Sequence, residues 1–236
     1  MRRLVLGLDT LPTLRQATGS REVDLAAAAT LAQLAGVDAV RLSVNDDLKP
    51  VREEDVREAR RAARRLELRM PPHQTLLKVA LEARPDRVLL AASGREGAML
   101  SGPLDLRGPN VVIDPLVRSL AEAGIPCGIV VNPDNESVKR VHGEGVPAVE
   151  FSTRAIIDLP SNERRVELER LSDAVRLASK LHLEIGIAGG LGFETLSDVL
   201  EHCPAVNWVV VGRAAITRAM LVGLDRSLRD LRALVS

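Results

Sequence analysis

With 236 residues, 46% of them hydrophobic, the chain can bury a full core, and no Pro- or Ser-rich linker divides it, so a single domain spanning 1–236 is expected. Thirty-two basic residues cancel thirty-two acidic ones, which removes the charge excess that nucleic acid or a membrane surface would select. Aromatic residues at 1% exclude base-stacking platforms, and two cysteines in unlike contexts, Cys127 and Cys203, give no disulfide framework or zinc site.

The opening "MRRLVLGLD" carries an apolar run too short for a secretion signal, and no stretch approaches membrane-spanning length. A soluble, cytoplasmic protein is the expectation. Short apolar, β-branched runs then recur along the chain: 4–9, 39–44, 66–70, 87–92, 127–132, 148–152, 183–188 and 208–212. Between them, stretches such as 24–36, 114–124 and 166–181 space their apolar residues by three and four, the pattern of amphipathic helices. Gly36 and Gly124 each stand just past such a stretch, where a helix stop is expected, and a strand follows within a few residues. The charged run 51–65 reads as a solvated helix face with i,i+4 pairs. Eight strand and helix units in a chain of this length predict a closed (β/α)8 barrel, which takes about 250 residues, over an open doubly wound sheet.

In such a barrel the chemistry gathers where strands end and loops begin. The candidates there are Asp9 and Arg15 after strand 1, Ser43 and Asn45 after strand 2, and Arg69 and His73 after strand 3. The long loop 92–108 follows strand 4, Asn132 and Asp134 follow strand 5, and Glu150 to Arg154 strand 6. Gly189 to Gly192 follow strand 7, and Gly212 with Arg213 strand 8. Glycine turns after strands 7 and 8 let backbone N–H groups approach an anion, with a helix N-terminus behind them. Either turn alone also reads as a tight connection. Together, Gly189, Gly190, Gly212 and Arg213 form the expected grip for a phosphate or a phosphorylated small molecule.

The order of these motifs resembles the pyridoxine 5'-phosphate synthase family, nearly end to end. The resemblance rests on "LGLDTLPTLRQATG" (6–19), "LAGVDAVRLSVNDDLKPVREEDV" (34–56), "LEARPDRVLLAASGREGAMLSGPLDLRG" (81–108), "AGIPCGIVVNPDNESVKRVHGEGVPAVEFST" (123–153) and "VVVGRAAITRAM" (209–220). It implies a barrel that closes the vitamin B6 ring from 1-deoxyxylulose 5-phosphate and 3-amino-2-oxopropyl phosphate, and that assembles as a homo-oligomer through its helices. The chain departs from the family at the chemistry. The family's strand-2 histidine and arginine read Ser43 and Asn45, and a loop histidine reads Pro50. Its catalytic glutamate reads Arg69, with Glu67 two residues back on the same strand face. Its strand-7 histidine reads Gly189, and the histidine before the last turn reads Trp208. On strand 1 its Asn and His read Gly7 and Thr10. Asp9, the Thr13-Leu14-Arg15 run, Glu150, Gly190, Gly212 and Arg213 remain.

Ring closure of that kind moves protons on and off carbon, work usually done by imidazoles and poised carboxylates. The residues left for it are Asp9, Glu150 and His73. Asp9 and Glu150 read either as orienting carboxylates or as ion-pair partners of Arg69 or Arg15. His73 reads either as a general base or as the opening residue of the next helix, and Arg95, Arg107 and Arg154 add cations to the rim. His142, His182 and His202 fall where they hold the fold. The expectation is therefore a divergent member that binds phosphate but has lost ring closure, with an active synthase as the alternative and a protein partner as a further role if catalysis is gone. No metal, cofactor, nucleic acid or membrane partner is assigned.

Overall fold

The computed structural model describes residues 1–20, 22–93, 102–106 and 113–235. Eight parallel strands close into a barrel in sequence order. Strand β1 (Arg3–Gly7) is followed by α1 (Thr10–Thr18) and α2 (Leu25–Leu34), β2 (Ala39–Ser43) by α3 (Glu53–Ala62), and β3 (Leu66–Met70) by α4 (Gln74–Ala83). Then come β4 (Arg87–Leu90), α5 (Ile113–Glu122), β5 (Cys127–Val131), α6 (Asn135–Gly143) and β6 (Ala148–Ser152) with α7 (Arg154–Ile157) and α8 (Ser161–Lys180). The last units are β7 (Glu184–Ala188), α9 (Leu196–His202), and β8 (Trp208–Val211) with α10 (Arg213–Val222) and α11 (Leu224–Val235). Among the described residues, no helix is long and apolar enough to cross a membrane.

All eight predicted strands form, because each run alternates between two buried environments, the helix layer outside and the barrel interior. The larger apolar cluster joins strands to helices through residues such as Leu6, Leu42, Leu68, Leu90, Ile129 and Phe151. A second, smaller cluster fills the interior with Val5, Ala39, Leu89, Ala91, Val130, Ala148 and Trp208. Trp208 fits there because β7 offers no side chain beneath it. A Cβ on Gly186, its partner in the strand register, would lie 2.0 Å from the indole.

Helix starts are set by side chains: Asp24 accepts from Ala27 N at 2.8 Å and Asp134 from Ser137 N at 2.8 Å. Two differences from the sequence reading matter for the site. First, β1 ends at Gly7 and α1 begins at once, so Asp9 sits at a helix entry instead of closing the strand. Second, β8 is followed by two helices. The second, α11, buries Leu228, Leu231 and Val235 and closes the barrel's last unit against α2 and α10.

Candidate functional site

Strand register decides which polar groups share the barrel interior. Arg41 on β2 stands beside Glu67 on β3, and two residues on Ser43 stands beside Arg69. Arg41 is 2% exposed and fully committed: its Nε and Nη2 donate to Glu67 Oε2 at 3.0 and 2.6 Å, and its Nη1 reaches both oxygens of Glu150 at 2.8 and 2.7 Å. Trp208 Nε1 donates to the other side of Glu150, at 3.0 Å. Burial opposes charge on both Arg41 and Glu150. The mutual attraction outweighs it, raising the Arg41 pKa through Glu150 and Glu67 and lowering that of Glu150 through Arg41, Arg69 and Trp208. Below this layer Arg87 stacks 4.2 Å from the Trp208 ring and, with Arg3, holds Glu184 at the lower end of the barrel.

Above the layer opens a cavity of about 430 Å³ at the C-terminal ends of the strands. Its floor carries Arg41, Arg69, Ser43 and Asp9, and its far wall is formed by the turns after β7 and β8. Asp9 accepts from Ser43 N at 2.6 Å and from Ser43 Oγ at 2.9 Å. Burial raises the Asp9 pKa, and the two bonds from Ser43 and the charges of Arg69 and Arg41 offset only part of that.

The turn after β7 needs glycine. Gly189 and Gly190 have φ of 115° and 75°, and a Cβ on Gly190 would press on Ile157 at 3.3 Å. Thr153 fixes the turn from β6, donating its hydroxyl to the Gly189 carbonyl at 2.6 Å and its N–H to the Ala188 carbonyl at 2.8 Å. On the neighbouring strand, α10 begins directly at Arg213, and the first intrahelical bond runs from Ile216 N to the Gly212 carbonyl at 3.2 Å. The N–H groups before it lie outside the helix ladder, at its electropositive end. Arg213 and Arg154 complete the rim. Among its described residues the cavity is lined by four arginines and one carboxylate, so it favours an anion.

The residues singled out from the sequence scatter more than expected. Asp9, Gly189, Gly190, Gly212 and Arg213 all line the cavity. Glu150 does not reach its surface, since it points into the barrel from the middle of β6 and is sealed by Arg41 and Trp208. The partner expected for it was Arg69 or Arg15; the contact is made by Arg41. Arg15 instead grips Asp55 of α3 with two bonds of 2.6 Å. His73 is exposed and is the N-cap of α4, its Nδ1 accepting from Thr75 N at 3.4 Å, which matches the helix-opening reading. Asn45 turns back to the Lys49 carbonyl at 3.0 Å. Arg95 and Arg107 lie outside the described residues, and both cysteines are free and buried. No group of metal-ligating side chains gathers among the described residues. Arg41, the hub of the interior, was missed: the alternation in "AVRLSV" gives no sign that its polar side faces inward.

A closed parallel barrel with a cavity over the C-terminal ends of its strands, lined by the turns after strands 7 and 8, defines a (β/α)8 protein. Solved structures agree on the fold alone: thiamine phosphate pyrophosphorylase from Pyrococcus furiosus superposes with a TM-score of 0.62 at 16% identity, covering 99% of this chain and 95% of that one. Tryptophan synthase subunit alpha from Campylobacter jejuni gives 0.63 at 14% identity, over 97% and 94%. The particular family follows from sequence. The pattern of "Pyridoxal phosphate biosynthesis protein PdxJ" matches residues 4–236, and the chain belongs to that family. Its similar relatives include the pyridoxine 5'-phosphate synthase of Desulforapulum autotrophicum, 32% identical over 100% of this chain and 99% of that protein. Another is that of a Synechococcus species, 33% identical over 98% of each.

Proposed function

We propose that this chain is a PdxJ-family barrel that binds phosphate or a phosphorylated small molecule at its mouth and has lost the pyridoxine 5'-phosphate synthase activity for which its relatives are named, the ring closure that the sequence resemblance implies. The observation that carries the binding half is the convergence of the Gly189-Gly190 turn, the N-terminus of α10, Arg154 and Arg213 on one cavity. Backbone donors and fixed cations suit a phosphate without any acid or base.

The loss of ring closure is supported by what else lines that cavity. Condensing two phosphorylated substrates into a ring needs groups that give and take protons near neutral pH, each contributing about 10² to 10⁴-fold. Guanidinium groups stay protonated and do not fill that role. Where the sequence resemblance puts the family's acids and bases, the cavity is lined by Ser43, Arg69 and Gly189, and Glu150 has both oxygens engaged by Arg41 and Trp208. A second reading, an active pyridoxine 5'-phosphate synthase, is favoured by one feature: Asp9 stands in the cavity with its pKa raised by burial, the setting of a proton carrier.

The test is to incubate purified protein with 1-deoxyxylulose 5-phosphate and 3-amino-2-oxopropyl phosphate, and in parallel to record thermal shifts with inorganic phosphate. A phosphate-dependent shift with no pyridoxine 5'-phosphate above background is expected. Product formation that disappears in Asp9→Asn would establish the second reading instead.

A further inference from the structure

The Gly189-Gly190 turn can present either side of its peptide to the cavity, and Thr153 decides which. Thr153 directly follows β6, is 0% exposed and stands behind the cavity wall, outside its lining. It grips two consecutive carbonyls at the end of β7: its N–H donates to Ala188 O at 2.8 Å and its hydroxyl to Gly189 O at 2.6 Å. Successive carbonyls of a regular strand point to opposite sides. Both turn to β6 here because Gly189 has φ of 115°, a conformation that residues with a side chain rarely adopt. A trans peptide carries its C=O and N–H in opposite directions, so the N–H groups of Gly189 and Gly190 both turn away from β6, toward β8 and the start of α10. The Gly190 N–H has no acceptor among the described residues.

We propose, resting on the phosphate reading above, that Thr153 is a positioning residue for the anion: its hydroxyl locks the Gly189-Gly190 peptide with the carbonyl against β6 and the N–H toward the cavity. The lock sets the sign of the wall. A peptide between two glycines rotates with little steric opposition, and without the hydroxyl the Gly189 carbonyl is left buried and unpaired. It regains a partner by rotating into the cavity, where its oxygen faces the anion in place of a donor. The group required is an uncharged hydroxyl behind the wall, so its effect separates from that of Arg154 and Arg213, which line the same cavity with charge.

The experiment is calorimetric titration of the whole chain and two variants with inorganic phosphate at two ionic strengths. Thr153→Val keeps the β-branch and loses the hydroxyl, whereas Thr153→Ser keeps the hydroxyl and loses the methyl. Thr153→Val should bind phosphate about ten- to a hundredfold more weakly than the wild type, and Thr153→Ser within about threefold of it. The group lost is an uncharged donor, so the factor should be the same at both ionic strengths. Wild-type affinity in Thr153→Val, a loss confined to low salt, or an equal loss in Thr153→Ser overturns the assignment and leaves the phosphate reading standing. The wild type gives an independent readout: in protein carrying isotopically labelled glycine, phosphate should shift the Gly190 amide resonance. A resonance that stays fixed at saturating phosphate overturns the proposal even where Thr153→Val does not fold. If the wild type binds no phosphate at all, the phosphate reading falls and this one with it.

Discussion

Replacing Arg41 by methionine removes the hub of the barrel interior and leaves two carboxylates around it. Glu150 is 0% exposed, Glu67 6%, and the guanidinium bonds that hold them measure 2.6 to 3.0 Å. Removing one partner of such a buried pair costs about 3–5 kcal/mol, because the carboxylate left behind stays buried and loses its main counter-charge. A domain of this size loses about 2–4 °C of melting temperature per kcal/mol, so a fall of about 6–20 °C is expected. The pH dependence carries the sign. In the wild type the Glu150 pKa is held below its ordinary 4.5, so its contribution is present above that value and is lost as pH falls through the folded pKa. In Arg41→Met burial dominates and the folded pKa moves above 4.5, so the variant's deficit should grow as pH rises. Urea denaturation of both proteins at about pH 5 and pH 8 reads this directly. Adding Glu150→Gln to Arg41→Met should recover part of the loss, since Gln still accepts from Trp208. A loss under about 1 kcal/mol at both pH values, the range of a surface ion pair, would show that the triad is not the sealed network described.

Gly190→Val should abolish phosphate binding in a thermal-shift series and lower stability as well, because the residue has φ of 75° and its Cβ would meet Ile157. Arg213→Ala should weaken phosphate binding by about ten- to a hundredfold and flatten its salt dependence, measured by titration at two ionic strengths. Asp9 has a raised pKa, so its ionisation penalises the fold as pH rises above its ordinary 3.8. Asp9→Asn should therefore gain stability relative to the wild type at neutral pH and lose that advantage in acid, as followed by chemical denaturation. Gly186→Ala drives a methyl into the Trp208 indole and should cost about 1–3 kcal/mol, and pairing it with Trp208→Leu should restore part of this.

The fold was readable because each strand is a short β-branched run between turn signals, and those signals are local. The glycine turns were readable for the same reason: Gly189, Gly190, Gly212 and Arg213 needed only the order of strands to be brought to one cavity. What escaped depends on register and on distance along the chain. Arg41 and Glu150 are separated by 109 residues, and only the closed barrel puts their side chains in one layer. Asp9 was placed at the mouth, but its bond to Ser43 depends on how β1 hands over to α1, a detail the apolar pattern does not encode. Glu150 was read as a mouth residue because it sits near the end of an apolar run. Strand alternation turns it inward, where a carboxylate survives only against a buried cation. Trp208 and Gly186 are complementary in volume across two strands, which no single stretch reveals.

The central claim is that an anion is held by the turns after β7 and β8. A crystal of the protein soaked in inorganic phosphate tests it most directly. The account predicts tetrahedral density within hydrogen-bonding distance of backbone N–H groups in the Gly189-Gly190 turn and at the start of α10, beside Arg213. Density that forms only elsewhere on the protein, with those turns empty at saturating phosphate, would contradict it.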